Sequence, residues 1–465
     1  MSAAAGRAFW APQAWIGGAW RDRVLLRADA SGHWAEVAPG IAAPPEGALA
    51  IDGPVLPGLV DAHSHAFQRA MAGLAERREA GEDDFWSWRD RMYGVALRIT
   101  PAQLCAVAAQ LYVELLRGGY TQVCEFHYLQ HRPDGSAYDD PLELSWALAD
   151  AAADTGLGLT LLPVLYERAG FAQPALRDDQ RRFATDAAAV ARLAAGTRAA
   201  RRPRVDAGLA IHSLRAAAPA SIHALRRLAE GHDGPIHIHV AEQVAEVADC
   251  LKATGARPIE WLVRQGLLDA RWQLVHATHA EPQEIEDVAR SGAGVVICPA
   301  TEANLGDGLT DLPRWLGEGV PIAIGSDSQV TRSWVEELRW LEYGQRLALR
   351  QRNVCADPVA QPATAARLLD AALAASAAPA GFARWGLIEG ARADFLVLDG
   401  TDTCLLGVPA ANRLDALVFT SPGDAIRDVY VAAQPVIADR RHAAQQAIAA
   451  RFASAMAELW SGAGR

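Results

Sequence analysis

The sequence predicts an α/β protein, a (β/α)8 TIM barrel with a small β-sandwich-like domain built from the N- and C-terminal segments. Two observations predict it. Eight short apolar runs alternate with Ala- and Leu-rich helical stretches through the middle of the chain, and both flanks carry short strand-like runs set among Gly and Trp. Strands apolar on both faces and separated by helices belong to a parallel sheet covered on both sides. Eight of them fit a closed barrel better than an open sheet.

In chain order, residues 1–54 read as short antiparallel strands with tight turns, too few for a domain of their own. The barrel follows over 55–380, with strands expected at 55–60, 121–126, 157–165, 205–211, 236–240, 273–277, 294–298 and 321–325. Helices are expected at 101–117, 140–155, 177–195, 218–230, 243–254, 281–290 and 333–350, with a further one at 363–377. Over 381–440 the run 386–400 and the segments 416–419 and 429–436 return to strand texture and complete the small domain. Residues 441–465 read as a C-terminal helix.

Composition narrows the function classes. At 465 residues and 21% charged the chain has the make-up of a soluble globular enzyme, without an apolar run long enough to span a bilayer. A formal charge of −11 argues against a nucleic-acid partner. The N-terminus lacks a sustained apolar core, so a cytoplasmic protein without a membrane partner is expected. The six Cys are scattered without a CxxC pair, as in a reducing compartment. Lys252 is the only lysine; every other cationic side chain is Arg.

Chemistry concentrates at the expected strand ends. The run VLPGLVDAHSH ends the first strand in Asp61, His63 and His65; alternation along a strand points both imidazoles the same way, toward a common cation. IHIHVAEQ ends the fifth strand with His237 and His239 on one face and Glu242 just beyond. LVHATH puts His276 at the tip of the sixth strand, and IAIGSDSQ puts Asp327 at the tip of the eighth. In a (β/α)8 barrel this rim is where catalysis sits. His237 lies deeper and reads as structural, whereas His33, His223, His232, His279 and His442 read as loop or surface residues.

The set PGLVDAHSH, HVAE, the strand-6 His, GSD and the closing GARADFLVLD resembles the amidohydrolase superfamily in its deaminase and chlorohydrolase branch. That resemblance implies one divalent metal ion per subunit, held by His63, His65, His239 and Asp327. Zinc is favoured, with iron or manganese as alternatives. The resemblance also implies a homodimer and catalytic roles for Glu242, His276 and Asp327. Asp327 takes a proton from water, His276 orients the resulting hydroxide, and Glu242 protonates the departing nitrogen. The expected fourth strand ends in Ile211-His212, so no lysine stands where two-metal relatives carry a carboxylated one; Glu125 is the carboxylate that could replace it.

Gln68, Arg69, the aromatic and basic loop 85–93, Tyr128, His212 and Arg215 fall past strand ends around the same mouth. Clustered Arg and phenol groups suit a small carboxylated substrate. FWSWRDRMY, EFHYLQH, AIHSLRAA, IHIHVAEQ and CPATEANLGDG further resemble the N-formimino-L-glutamate deiminases of histidine degradation. This implies hydrolysis of N-formimino-L-glutamate to N-formyl-L-glutamate and ammonia, with Gln68, Arg89, Tyr128, His212 and Arg215 on the amino-acid part. The rival expectations are a deaminase of an aromatic base on the same scaffold and a metal-free, non-catalytic barrel.

Overall fold

The structure, a computed structural model, describes residues 6–78 and 85–461, so the first five and last four positions of the expected terminal segments lie outside the described residues. Parallel strands β1 (Leu59–Ser64), β2 (Tyr120–His127), β3 (Gly158–Leu165), β4 (Leu209–Ile211), β5 (Ile236–Val240), β6 (Trp272–His276), β7 (Gly294–Ile297) and β8 (Ile322–Ile324) pair in sequence order. A short extra strand, Val205–Ala207, pairs only with β3, so the expected 205–211 strand is broken at Gly208.

The ring closes between β8 and β1 through the parallel bridge of Ser64 with Asp327, where Asp327 N donates to His63 O at 2.9 Å and His65 N to Asp327 O at 3.2 Å. Closure needs Gly325. A Cβ there would stand 2.8 Å from both Cβ and O of His63, so any side chain would push the two strands apart.

The intervening helices bury one face against the barrel. The helix Pro101–Arg117 illustrates the local logic: Thr100 and Gln103 form a capping box, Pro101 opens the first turn, and Leu104, Val107, Leu111 and Leu115 face the core. The C-terminal helix Gln445–Trp460 is fastened beside it, with Gln103 Nε2 donating to Glu458 at 2.9 Å and Trp460 Nε1 to Ala70 O at 3.0 Å.

The terminal segments build one eight-stranded sheet. Its main path runs Gln434–Ile437, Ile426–Val431, Phe395–Leu398, Pro54–Pro57, Ala8–Ile16, Ala19–Ala28 and Trp34–Ala38, with Leu49–Ala50 beside Ala8–Ile16. It is a single hydrogen-bonded sheet and not two stacked ones. It curls until Trp34 N donates to Ala391 O at 2.8 Å, and it encloses Phe9, Val24, Leu26, Trp34, Val55 and Phe395.

Three expectations are corrected here. The run 55–60 is two strands: Pro57-Gly58 ends a small-sheet strand, and β1 begins only at Leu59. Residues 416–419 lie in the helix Arg413–Thr420, because Leu414, Leu417 and Val418 form a buried helical face. The run 429–436 is a hairpin, turned at Ala432 and Ala433 with φ of +49° and +61°.

The small sheet is locked to the barrel by Arg392. Its guanidinium pairs with Asp394 at 2.6 Å, reaches Gln122 Oε1 at 2.8 Å and Thr121 O at 2.9 Å, and lies over the rings of Phe382 and Trp385.

Candidate active site

The C-terminal rim gathers the sequence-predicted cluster. His63 Nε2 lies 3.1 Å from His65 Nε2 and 2.9 Å from His239 Nε2, and Asp327 Oδ1 lies 3.5 and 3.4 Å from the first two. The edge of a tetrahedron with metal bonds of 2.0–2.1 Å is about 3.3 Å, so these spacings suit neighbouring ligands of a cation, with His63, His65 and Asp327 in one such group and His63, His239 and His276 in another.

Protonation agrees. His65 Nδ1 donates to Phe126 O at 3.0 Å, which leaves its Nε2 lone pair facing the cluster. Burial holds His63 (down to about 3), His65 and His239 neutral, the form in which imidazole ligates. Burial alone would raise Asp327, but its hydrogen bond to His63 and the surrounding imidazoles hold it below the usual carboxylate range. Closely packed neutral imidazoles beside one carboxylate are the donor set a divalent cation takes.

Glu242 and His276 flank this cluster. His276 Nε2 lies 3.9 Å from both Glu242 Oε1 and Asp327 Oδ2. Its Nδ1 faces Glu302 Oε1 at 3.3 Å, and burial is outweighed by Glu242, Glu302 and Asp327, which lift its pKa to about 10. Burial pushes the Glu242 carboxyl well above the ordinary range, as suits a group that delivers and recovers a proton near neutrality.

The rim backbone is strained. Ala241, His276, Ala277, Asp327 and Gln329 all have positive φ, from +48° to +70°. Such residues persist where surrounding bonds fix them. For Asp327 the fastenings are plain. Asp61 accepts from Ser326 N at 2.9 Å and Ser326 Oγ at 2.5 Å, and Gln329 Nε2 donates to Asp327 O at 2.8 Å and Ser64 Oγ at 3.0 Å.

The cavity over the cluster is lined by His65, Gln68, Arg89, Tyr128, His212 and Arg215 together with Glu242, His276 and Asp327, so every predicted substrate residue opens on it. Gln68 Nε2 donates to Tyr128 Oη at 3.1 Å, and the His212 ring packs 5.1 Å from that of His239.

Three sequence readings change. Arg69 turns away to Glu114, at 2.7 and 2.9 Å. The aromatic segment is a helix, Phe85–Ala96, and not a loop. Glu125 is spent on Ser64 Oγ (2.9 Å) and Ala66 N (2.5 Å), facing away from the imidazoles, so it does not replace the missing lysine. His237 is structural, its Nε2 bonded to Pro379 O at 2.9 Å. Glu302, Gln329 and Ser326 were not singled out. Glu302 stands in CPATEANLGDG, four residues after Cys298, and an acid just after the apolar run of β7 is the one sequence signal it gives.

A closed parallel barrel with a rim of imidazoles and one aspartate defines a metal-dependent hydrolase. The Amidohydrolase family model matches residues 55–436, and the chain belongs to that family. It is 46% identical over 455 residues to formimidoylglutamate deiminase of Pseudomonas aeruginosa, covering 97% of this chain and 99% of the relative. It is 29% identical over 389 residues to the 5-methylthioadenosine/S-adenosylhomocysteine deaminase of Natronomonas pharaonis, covering 83% and 82%. Among solved structures, an amidohydrolase from Brucella melitensis superimposes with a TM-score of 0.91 at 40% identity, covering 97% and 99% of the two chains. A zinc-bound adenosine deaminase from Xanthomonas campestris shares the fold, with a TM-score of 0.80 at 22% identity and 98% and 99% coverage.

Proposed function

We propose that the chain hydrolyses N-formimino-L-glutamate, releasing N-formyl-L-glutamate and ammonia. The observation that carries this is a pair of guanidiniums opening on the cation site's cavity: among the described residues neither Arg89 nor Arg215 is hydrogen-bonded to a carboxylate, and Arg89 Nε and Arg215 Nε and Nη1 are buried without an acceptor, Glu242 and Glu246 reaching Arg215 only through their charge. Buried guanidinium N–H groups without an acceptor are costly, and a carboxylated substrate relieves them. A purine offers no carboxylate. The similarity to a formimidoylglutamate deiminase over nearly the whole chain supports the same choice.

His63, His65, His239 and Asp327, which fall in two overlapping ligand groups that share His63, would hold one divalent ion, and three imidazoles with one carboxylate favour zinc over iron or manganese. When bound, such an ion acidifies water and so supplies the nucleophile at neutral pH. Asp327 accepts the proton of the attacking water, and His276, fixed by Glu302, offers Nε2 to the developing charge. Glu242 transfers a proton to the imino nitrogen as water adds to the formimino carbon; the proton held by Asp327 then passes to the resulting amino group, the C–N bond to it breaks, ammonia leaves, and Glu242 recovers the hydroxyl proton as the formyl C=O forms. Arg89, Arg215, Tyr128, His212 and Gln68 hold the amino-acid part.

A cytoplasmic homodimer belongs to the same proposal. Among the described residues no helix is long and apolar enough to cross a membrane, and light scattering tests the dimer.

The deciding experiment measures ammonia released from N-formimino-L-glutamate, guanine and adenosine, with and without a chelator. Release from the first alone, abolished by the chelator and restored by zinc, is expected. Turnover of a purine in its place would sink the reading.

A further inference from the structure

Tyr93 and Tyr166 face the same cavity, yet the mechanism above leaves both unused. They are almost fully buried, at 4% and 1% exposure, and their hydroxyls meet over Gln180, which is 0% exposed. Gln180 Nε2 donates to Tyr93 Oη at 3.2 Å and to Tyr166 Oη at 2.9 Å, and its Oε1 accepts from Arg177 N at 3.0 Å. Both amide hydrogens are therefore spent on phenol oxygens. Each phenol is left to act as a donor. One can donate to the other, but the second proton then has no acceptor among the described residues.

The surroundings are cationic. The Arg89 guanidinium lies 5.5 Å from the centroid of the Tyr93 ring and 4.5 Å from that of Trp86, and Arg215 lies 5.6 Å from the same Trp86 ring. Two guanidiniums sharing one indole, both with buried N–H groups that have no partner among the described residues, suit an anion placed between them. At this end of the cavity donors outnumber acceptors.

Its position distinguishes two carboxylates. The rings of Tyr128 and His212 touch the metal imidazoles, at 5.1 Å from His65 and 5.1 Å from His239. Tyr166 lies one ring further out, 4.4 Å from His212, and Tyr93 further still, reached through Phe183 at 5.4 and 5.5 Å from the two phenol rings.

Resting on the reaction proposed above, we infer that Tyr93 and Tyr166, set by Gln180, bind the substrate carboxylate farther from the metal and select for a second, side-chain carboxylate. A substrate with a neutral side chain would bring an amide where the donors converge, leaving them with a weaker acceptor and no negative charge, and a site built for one polar group rejects analogues that lack it.

The test compares N-formimino-L-glutamate with N-formimino-L-glutamine, of equal length but neutral at the side chain, for wild type, Tyr93→Phe, Tyr166→Phe and the double variant. Each ring is retained, so packing is preserved. The ratio of kcat/KM for the glutamate over the glutamine substrate is expected to fall about tenfold in at least one single variant and further in the double, as loss of a hydrogen bond to a charged group predicts. The fall should lie in KM for the glutamate substrate. A ratio that stays at the wild-type value, including the case where both substrates slow equally, overturns the inference and leaves the proposed reaction standing. If wild type releases no ammonia from N-formimino-L-glutamate, both fall.

Discussion

Gln329 is the position at which fold and chemistry are most tightly joined, and replacing it by Leu tests the connection. Its amide is fully buried and makes three bonds: Nε2 to Asp327 O at 2.8 Å, Nε2 to Ser64 Oγ at 3.0 Å, and Oε1 with Ser326 Oγ at 3.0 Å. Each partner keeps another bond. His65 N still reaches Asp327 O, Ser64 Oγ still reaches Glu125, and Ser326 Oγ still reaches Asp61. The loss is therefore three ordinary hydrogen bonds at about 1 kcal/mol each, roughly 3 kcal/mol, without the larger cost of orphaned groups. Asp327 at φ +48° depends on those fastenings, so its carboxylate should wander. Loosening a group that orients a ligand weakens metal binding by about 10- to 100-fold. Urea unfolding of chelator-treated protein gives the first quantity, and competition with a metal-sensitive dye gives the second. A stability loss below about 1 kcal/mol together with unchanged metal affinity would refute the idea that this seam holds the ligand.

Other outcomes follow from the same geometry. Glu242→Gln should keep its metal, measured by elemental analysis, while ammonia release collapses by about 100-fold or more; retained turnover would remove Glu242 from proton transfer. Arg392→Met should cost about 3–5 kcal/mol, because it strands the buried Asp394 carboxylate and cuts the tie from small sheet to β2, and a midpoint shift in urea checks it. Burial raises Glu125 from 4.5 to about 8, so the folded state holds a proton the unfolded chain releases. The stability linked to that proton is full below about pH 4.5 and is lost as pH rises toward 8, so wild type should weaken over this window more steeply than Glu125→Gln. Equal slopes for the two proteins in urea melts of the metal-free forms would contradict the assignment.

What the sequence could carry is set by how local each signal is. His63 and His65 announce themselves within one strand, and IHIHVAE, LVHATH and GSD each end an apolar run, so the six residues that gather at the rim are readable one strand at a time. The barrel order followed from the same runs. Gln329, Ser326 and Asp61 were not readable as a unit, because Asp61 and Ser326 lie 265 residues apart and meet only when β8 closes on β1. The Pro57-Gly58 break was misread for a related reason: both halves are apolar, and only the partner strands differ. Residues 416–419 were too few to separate a strand from a buried helix face. Arg69 and Arg89 looked alike from their place beside the mouth, yet Glu114 on the next helix claims only the first.

The closing seam explains why the rim can hold strained residues at all. Seven of the eight strand junctions are hydrogen-bonded ladders, that of β1 with β2 interrupted by register shifts, but β8 meets β1 through a single bridge at Ser64 and Asp327. A short ladder is weak by itself, and here side chains complete it: Asp61 grips Ser326 while Gln329 grips Ser64 and the Asp327 carbonyl. Gly325 allows the approach. Because the ladder stops early, Asp327 is free to leave extended geometry and turn its carboxylate toward His63 and His65. A regular pairing carried two residues further would hold Asp327 in extended backbone, where successive side chains alternate between the two faces of the sheet. The chain thus exchanges backbone pairing for buried side-chain bonds at the one junction where a ligand must face inward. Substitutions that restore regular pairing there should strengthen the fold and weaken the metal site together.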